Sequence, residues 1–342
     1  MRKIRFGVIG CGRIFEKHLN ALKSCEDAVI AAVCDMSEDK AKEASSKCGG
    51  SWFVDYKEMI KNVEFDIVDI CTPNDSHADI AVYAANAGKH VLTEKPMALT
   101  VDDCDRMIRA CEENNVRLFV VKQNRFNLPI VRLREALEKG RFGKLFLGNV
   151  TVRWSRPQEY YDKNDWHGTK NRDGGMLFTQ ASHHIDMLQW MFGPVHSVKA
   201  NIATLTHDIE TEDNAVVVIK FKSGALGVVE ATTSTFLKNL EGSVTVLGDK
   251  GSVKIGGMAM NKVDYWEFSD FQNEDDNIRT CTVNPPNVYG FGHIEVIRNV
   301  VRSLNGEKSN FEVDGFEGRK TVKLIKAAYE AAETGKEVII YD

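Results

Sequence analysis

The first fifteen residues constrain the fold more than any other part of the sequence. An apolar run over 4–9 leads directly into Gly10-Cys11-Gly12, and a helical pattern follows over 13–24. Gly10 permits a tight turn, Gly12 lets the backbone approach a phosphate, and the helix offers its N-terminal amides to negative charge. The pattern predicts a dinucleotide-binding strand–turn–helix unit, with a purely structural unit as the alternative. Phe15 stands where the usual pattern has a third glycine, which makes the helix–strand contact bulkier.

The rest of the first third continues this alternation of short apolar runs and helical patterns. Strands are predicted at 29–34, 67–70, 91–92 and 118–121, and helices at 38–48, 79–87 and 101–114. Such alternation is typical of parallel strands joined by right-handed helical crossovers. We therefore predict an α/β N-terminal domain over 1–122, folded as a doubly wound parallel sheet.

After residue 122 the pattern changes to successive strands with few helices between them. The predicted strands are 145–154, 198–206, 215–221, 226–233, 243–247, 252–255 and 262–268. We predict an α+β C-terminal domain over 123–342 with a large, mostly antiparallel open sheet. Helices are predicted at 176–192, 293–305 and 316–334, the last with the option of packing back on the first domain. The polar stretch 270–287 is predicted to be a long loop.

Composition argues against several classes of protein. The 342 residues carry 44 basic and 49 acidic side chains, a net charge of −5, which disfavours a nucleic-acid-binding protein. The longest unbroken apolar run, 28–34, is far shorter than the roughly 20 residues of a membrane-spanning helix. The eight cysteines form no C-x-x-C pair and are expected to be reduced, buried thiols. We predict a cytoplasmic protein that binds neither nucleic acid nor membrane.

Three strand ends carry the residues of a predicted cofactor site. Asp35 follows the second strand, where a carboxylate can accept hydrogen bonds from both ribose hydroxyls of NAD and would repel the 2′-phosphate of NADP. The segments 72–74 and 94–96 follow two later strands. Ligands of open parallel sheets bind at the carboxyl ends of the strands. The sequence therefore predicts an NAD site at this edge, with Lys95 as a candidate functional residue.

Five motifs follow one another along the chain: Gly10-Cys11-Gly12-Arg13-Ile14, Cys71-Thr72-Pro73-Asn74 with His77, Glu94-Lys95-Pro96, Gly174-Gly175, and His183-x-x-Asp186. In this order they resemble the glucose–fructose oxidoreductase / inositol dehydrogenase family, over essentially the whole length. The resemblance implies that the first domain binds NAD and that Lys95 and His183 are catalytic residues flanking the reacting carbinol. The cofactor-binding residues that follow from the strand ends and the resemblance are Gly10, Gly12, Arg13, Ile14, Asp35, Thr72, Pro73, Asn74, His77, Glu94, Lys95, Gln123 and Trp166.

Six further segments extend the resemblance: 120–125, 156–161, 166–169, 180–183, 239–243 and 288–293. Together they are similar to the UDP-N-acetylglucosaminuronate 3-dehydrogenases of bacterial surface-polysaccharide synthesis, a subgroup that oxidises the sugar 3-hydroxyl with NAD. This implies a UDP-sugar acid as substrate, and 2-oxoglutarate as the oxidant with which some relatives recycle NADH. The chain departs from the subgroup at His167, usually Arg, and at Thr179, usually Asn. The implied substrate residues are Lys95, Arg156, Tyr161, Gln180, Ser182 and His183.

The two predicted catalytic residues leave the proton acceptor open. A histidine near its ordinary pKa can take the hydroxyl proton while a lysine cation favours the developing alkoxide, or a neutral Lys95 takes the proton and His183 relays it. His183 and His184 lie about 100° apart on a helix, so only one can face a given cleft, and His184 is predicted to be structural. A metal site of His183 and Asp186 would need further ligands, so we predict no metal.

The segment 156–166 combines cationic and aromatic residues. Arg156, Tyr160, Tyr161 and Trp166 are suited to a substrate with a diphosphate and a carboxylate, because arginine binds such oxygens in bidentate fashion. The alternative is an exposed loop over packed aromatic rings.

The predicted strand at 215–221 indicates self-association. It carries Val or Ile at successive positions, which is typical of burial on both faces, and we therefore predict a homo-oligomer, either a dimer or a tetramer.

Two rival functions stay open. One is an NAD-dependent dehydrogenase of inositol or another sugar in the same family. The other is a non-catalytic NAD-binding relative that regulates a protein partner.

Overall fold

The computed structural model describes residues 2–282, 288–307 and 313–341. The chain forms two compact units, each with its own sheet. The first combines Met1–Lys122 with His293–Val322, and the second combines Gln123–Gly292 with Lys323–Asp342. The division by sequence assigns 293–322 to the second domain, whereas the contacts within the structure group this stretch with the first unit.

The first unit contains a six-stranded parallel sheet. Its strands are β1 (Ile4–Ile9), β2 (Ala28–Cys34), β3 (Ser51–Phe53), β4 (Ile67–Ile70), β5 (His90–Thr93) and β6 (Leu118–Val120). Their order across the sheet is β3-β2-β1-β4-β5-β6, and every neighbouring pair is parallel. The predicted doubly wound parallel sheet is thus confirmed.

Helices connect these strands. They are α1 (Phe15–Lys23), α2 (Glu38–Cys48), α3 (Tyr56–Asn62), α4 (His77–Asn86) and α5 (Val101–Glu113). All were predicted except α3, which follows the equally unpredicted strand β3. A further helix of this unit, α10 (His293–Leu304), comes much later in the chain. The order of the strands reverses between β1 and β4, and such a switch point opens a crevice at the carboxyl ends of the strands. Gly10, Cys71 and Glu94 are the first residues after β1, β4 and β5, so all three motifs lie at this edge.

The second unit contains an eight-stranded sheet. Its strands are β7 (Leu145–Arg153), β8 (Val195–Ala203), β9 (Asn214–Phe221), β10 (Leu226–Thr232), β11 (Glu241–Gly248), β12 (Gly251–Gly256), β13 (Lys262–Phe268) and β14 (Val338–Ile339). The order is β13-β12-β11-β7-β10-β9-β8-β14, and only the β7–β10 pair is parallel. The prediction of a large, mostly antiparallel sheet is confirmed.

One predicted helix of this unit is wrong in its continuity. Instead of a single helix over 176–192, the chain forms α8 (Met176–Thr179) and α9 (Ser182–Phe192). The amides of Gln180 and Ala181 both bond to the carbonyl of Met176, and the second of these bonds spans five residues, so the regular helical hydrogen-bond pattern is interrupted between the two helices. This unit also contains α6 (Leu128–Glu138) and α7 (Gln158–Asp162), and the residues of α11 (Gly315–Thr334) are divided between the two units.

Strand β9 bears on the argument for self-association. Its residues alternate between buried and exposed in the single chain, so the predicted burial of its second face would require a second copy of the chain. Two of the outward residues are apolar, since Val216 is 49% exposed and Val218 48%, and Leu226 on the neighbouring strand is 49% exposed. A contiguous apolar patch of this kind is typical of an interaction surface.

Two further expectations can be compared with the structure. The predicted loop over 270–287 includes short 3₁₀ turns at Asn273–Cys281, and its later part, 283–287, lies outside the described residues. Among the described residues, no helix combines the length and the apolar character needed to cross a membrane.

Candidate active site

The glycine turn after β1 fits a bound pyrophosphate. Gly10 has a φ of +96°, and a Cβ on it would lie 2.5 Å from the carbonyl oxygen of Cys71, so only glycine is tolerated there. A Cβ on Gly12 would meet no atom within 4 Å, so this side of the turn is open to a ligand. Arg13 and Ile14 continue the turn into α1, whose N-terminus has no side-chain cap. The predicted residues thus leave both space and helix amides for a phosphate.

Asp35 holds this turn in place. Its carboxylate accepts hydrogen bonds from the amide of Cys11 (2.9 Å) and from the amide of Ser37 (2.9 Å). Each carboxylate oxygen can accept more than one hydrogen bond, so these contacts leave capacity for ribose hydroxyls. Asp35 therefore combines an anchoring role, which the sequence did not predict, with the predicted position for recognising NAD.

The loop after β4 is fixed by His77. Its Nδ1 lies 2.9 Å from the carbonyl oxygen of Pro96, and its Nε2 lies 3.0 Å from the carbonyl oxygen of Thr72. His77 is fully buried, and it joins the loop after β4 to the loop after β5. Pro73 and Asn74 lie between Thr72 and His77 in the sequence, and a short 3₁₀ helix begins at Asn74. The structure therefore gives His77 a loop-bridging position.

Glu94 points into the first unit. One carboxylate oxygen accepts the amide of Lys95 at 2.9 Å, and the other lies 2.9 Å from Nε2 of the buried His18. His18 in turn contacts Asp69 on β4. His18 and Asp69 are not among the residues predicted from the sequence. An acid within the buried run 67–70 is nevertheless a signal, because a buried carboxylate needs a hydrogen-bond or ion-pair partner.

In the second unit, the segment that carries Gln180, Ser182 and His183 begins at a fixed point. The carboxylate of Glu212 accepts hydrogen bonds from the Leu177 amide (2.8 Å) and the Tyr329 hydroxyl (2.7 Å). Burial raises the pKa of Glu212 to about 7. A side chain on Gly175 would collide with both Glu212 and Tyr329, which explains the glycine of this motif. Sequence reasoning did not identify Glu212 or Tyr329.

The two histidines of α9 are both buried, but their neighbours differ. The ring of His184 packs edge-on against Trp154 at 5.6 Å, and Gly242 approaches it so closely that an added Cβ would lie 3.0 Å from its Nε2. This environment matches a packing role for His184. His183, one residue earlier, is 5% exposed at the first turn of α9.

Asp186 is committed to a buried ion pair. Its carboxylate accepts two hydrogen bonds from Arg125, at 2.9 Å from Nε and 2.8 Å from Nη2. The Arg125 guanidinium also lies over the ring of Trp190, 4.6 Å from its centroid. A buried bidentate pair of this kind fixes orientation as well as charge. Asp186 of the His183-x-x-Asp186 motif thus anchors α9 to the segment at Arg125.

The guanidinium of Arg156 is hydrogen-bonded on one side, and its other N–H groups are available as donors. Its Nη1 donates to the carbonyl of Ser155 (2.7 Å) and to the side-chain oxygen of Asn239 (3.2 Å). The guanidinium also lies over the rings of Trp154 and Tyr160. Within the described residues, its Nε and Nη2 make no hydrogen bond, so this side of the fork is suited to an anion.

The neighbouring aromatic residues divide between packing and polar contact. The Tyr161 hydroxyl lies 3.0 Å from Thr233 Oγ1 in the interior, and burial raises the pKa of Tyr161 to about 12. His167, the departure from the subgroup, stacks on Tyr160 at 4.5 Å, and the ring of Trp166 lies tilted against the His167 ring at 4.0 Å. His167 therefore belongs to an aromatic cluster.

Several buried side-chain polar atoms have no hydrogen-bond partner within the part of the chain that the structure describes. Among them are Oγ of Ser182, Oε1 of Gln123 and Oδ1 of Asn124. Two of these residues, Ser182 and Gln123, are predicted ligand contacts. Buried polar atoms are nearly always paired, so such exceptions are expected where a ligand completes the hydrogen bonds.

The comparisons with known proteins cover both units. A family model described as an oxidoreductase family with an NAD-binding Rossmann fold matches residues 4–122, and the GFO/IDH/MocA C-terminal domain matches residues 130–254. A myo-inositol 2-dehydrogenase of Thermotoga maritima is 33% identical over 258 residues, which is 73% of this chain and 74% of that protein.

The solved structures that match the whole chain include two WlbA dehydrogenases. The WlbA dehydrogenase from Bordetella pertussis, in complex with NADH and UDP-GlcNAcA, is 41% identical, with a TM-score of 0.96 and coverage of 100% of this chain and 99% of that one. The WlbA dehydrogenase from Chromobacterium violaceum, also in complex with NADH and UDP-GlcNAcA, is 42% identical, with a TM-score of 0.94 and coverage of 100% and 97%. With its two matched domains and these relatives, the chain belongs to the GFO/IDH/MocA family of NAD-dependent oxidoreductases.

Proposed function

We propose that this protein oxidises the 3-hydroxyl of UDP-N-acetyl-D-glucosaminuronate (UDP-GlcNAcA) to a ketone with NAD, a step in the synthesis of nucleotide sugars for surface polysaccharides. The observation that carries the proposal is the sequence identity of 41–42%, over the full chain, to two dehydrogenases whose structures contain NADH and UDP-GlcNAcA. The glycine turn and Asp35 support the NAD part, because their geometry suits a dinucleotide.

The proposed reaction needs a hydride acceptor and a proton acceptor. NAD, when bound, supplies the hydride acceptor, and the sugar carbon loses a hydride while its hydroxyl loses a proton. We assign the proton step to Lys95 and His183, with two alternatives. Either His183 accepts the proton while the Lys95 cation favours the alkoxide, or neutral Lys95 accepts it and His183 relays it.

The acidic, phosphorylated substrate accounts for the polar groups of the second unit. The spare donors of Arg156 suit a diphosphate or a carboxylate, and the buried Ser182 hydroxyl has no partner within the described residues. A site built around such groups rejects substrates that leave them unpaired. Gln180 and Tyr161 belong to the same proposed set, with Tyr161 acting chiefly through its packing.

Further parts of the proposal concern turnover and assembly. We propose that 2-oxoglutarate reoxidises NADH, and that the protein acts in the cytoplasm as a homo-oligomer, a dimer or tetramer. The exposed apolar side chains Val216, Val218 and Leu226 support self-association.

Asp35 carries the expected preference for NAD. We expect Asp35→Ala to weaken NAD binding by about 1.5–3 kcal/mol, the scale of hydrogen bonds to a charged group. Calorimetric titration of the apoprotein with NAD and with NADP measures the preference. Asp35→Asn is the matched control, because it retains an acceptor for the Cys11 amide but loses the charge. If the wild type binds NADP as tightly as NAD, the assignment of Asp35 is wrong.

The proposed substrate is tested by measuring kcat/KM for UDP-GlcNAcA, UDP-N-acetylglucosamine and myo-inositol, with 2-oxoglutarate present. We expect UDP-GlcNAcA to be best, and Arg156→Ala to raise its KM by more than it lowers kcat, since holding a remote anion is mostly uniform binding. Arg153→Ala is the control, because Arg153 is committed to Glu230 and Glu241.

The alternative outcomes separate the rival functions. A preference for myo-inositol would favour the second candidate, an inositol or sugar dehydrogenase, which the similarity to the Thermotoga maritima enzyme supports. A preference for UDP-N-acetylglucosamine would contradict the proposed contacts to the carboxylate of the substrate. Tight NAD binding without turnover of any of the three would favour the non-catalytic regulatory relative.

A further inference from the structure

A buried cluster of ionisable side chains lies beneath the loop that carries Lys95. His18, on α1, sits between two carboxylates: its Nδ1 is 2.7 Å from Oδ2 of Asp69, and its Nε2 is 2.9 Å from Oε1 of Glu94. These three side chains are almost completely buried, and all belong to the first unit. Neither the catalytic nor the cofactor assignment uses His18 or Asp69.

The hydrogen-bond geometry suits a positively charged His18. Ionised carboxylates only accept hydrogen bonds, and a neutral imidazole has a single N–H. Each nitrogen of His18 faces a carboxylate oxygen at hydrogen-bond distance, so with both carboxylates ionised the two contacts are satisfied when His18 carries two N–H groups and a positive charge. An ion pair is also what two buried carboxylates require, since unpaired charges in the interior are costly.

The other titratable groups facing the cluster are consistent with this charge. The Cys71 thiol lies 3.9 Å from Asp69, and His293 of α10 lies 3.6 Å from Glu94. Burial by itself lowers the pKa of His18, but the Asp69 carboxylate outweighs it and holds the pKa of His18 well above its ordinary value. Burial by itself would raise the pKa of Glu94, but the hydrogen bond with His18 and the proximity of His293 hold it well below its ordinary value.

The cluster ends at the main chain of Lys95. The second carboxylate oxygen of Glu94 accepts the backbone amide of Lys95 at 2.9 Å. A continuous series of contacts therefore runs from Asp69 through His18 and Glu94 to the backbone from which the Lys95 side chain projects. The position of that backbone depends on a Glu94 carboxylate that is ionised and fixed in one orientation.

We propose that His18 is a positioning residue for the family reaction: as a buried imidazolium between Asp69 and Glu94, it fixes the Glu94 carboxylate and, through it, the backbone of Lys95. This inference rests on the role of Lys95 in the family reaction, not on which sugar is oxidised. The same atoms of His18, Glu94 and His293 lie within 4.8 Å of one another, close enough for a metal ion. The ion-pair network accounts for the His18 contacts without one.

The charge on His18 can be measured directly on the wild-type protein. Nitrogen-15 NMR of histidine-labelled protein distinguishes ring nitrogens that carry a proton from those that do not, and His18→Gln assigns the signals. At about pH 8, where an ordinary histidine with a pKa near 6.5 is neutral, we expect both nitrogens of His18 to be protonated. One unprotonated nitrogen, or a stoichiometric metal in the purified protein, would overturn the proposal. No substrate is needed, so the result is independent of the proposed function.

The positioning role is tested by kinetics. We expect His18→Gln to lower kcat by about 10- to 100-fold, the scale of a small misplacement of a catalytic group, with the KM for NAD changed by less than about threefold. Adding Asp69→Asn should restore part of kcat, because it removes one of two like charges. The control is His90→Gln, the same substitution in the same unit, at a residue whose ring accepts the Arg117 amide. Unchanged kcat in His18→Gln, or a further loss in the double variant, would contradict the proposal.

Discussion

Lys95→Ala and His183→Asn are each expected to lower kcat by about 10²–10⁴, the usual contribution of a general acid or base. Both residues stand in the motifs that the family resemblance assigns to the reacting carbinol. Steady-state kinetics with saturating NAD measures the effect. The matched control is His184→Asn, which changes a buried histidine one residue away whose ring packs on Trp154. We expect a much smaller change in kcat for that variant.

The same variants distinguish the two proton assignments. If His183 accepts the proton, His183→Asn should remove the acid limb of the pH–kcat profile, while Lys95→Ala leaves it. If Lys95 accepts the proton, the reverse holds. Turnover close to that of the wild type in either variant would exclude that residue from the chemical step.

Asp186→Ala is expected to reduce the free energy of unfolding by about 3–5 kcal/mol, because it leaves the buried Arg125 guanidinium without its charge partner. The bidentate hydrogen bonds at 2.9 and 2.8 Å, and the near-complete burial of both side chains, make this pair an anchor of α9. Urea denaturation followed by circular dichroism gives the value.

The control for Asp186 is the double variant Arg125→Met/Asp186→Leu. Replacing both members of a buried ion pair by apolar groups is often far less costly than removing one, so we expect it to be more stable than Asp186→Ala. A loss of less than about 1 kcal/mol in Asp186→Ala would contradict the anchoring role.

The fold could be predicted largely from local patterns. Short apolar runs that alternate with helical patterns, and the glycine turn at Gly10, identify the parallel strands, because each signal lies within a few residues of sequence. The break at Gln180 could not be predicted, since 176–192 is helical in pattern and the break depends on the hydrogen bonds of Met176. Strand β9 carries valine at successive positions, yet the single chain buries only one of its faces, and no local pattern reveals what covers the other.

Candidate site residues could be predicted where they stand in a sequence motif. Residues that only the fold brings together were not predicted. Lys95, His183 and Asp35 stand in recognisable motifs. His18 and Glu94 meet across 76 positions of sequence, and Glu212 meets Tyr329 across 117. No spacing rule connects such pairs. The one usable signal was chemical, since Asp69 is an acid within a buried strand and must have a partner.

The central claim, oxidation of the sugar at carbon 3 by NAD, is tested most directly by isotope transfer. UDP-GlcNAcA carrying deuterium at carbon 3 is incubated with the enzyme and NAD, without 2-oxoglutarate, and the reduced cofactor is analysed by mass spectrometry. We predict NADH that contains one deuterium per molecule, together with a 3-keto sugar. Unlabelled NADH formed during turnover, or no reduction of NAD by this substrate while myo-inositol reduces it, would contradict the claim.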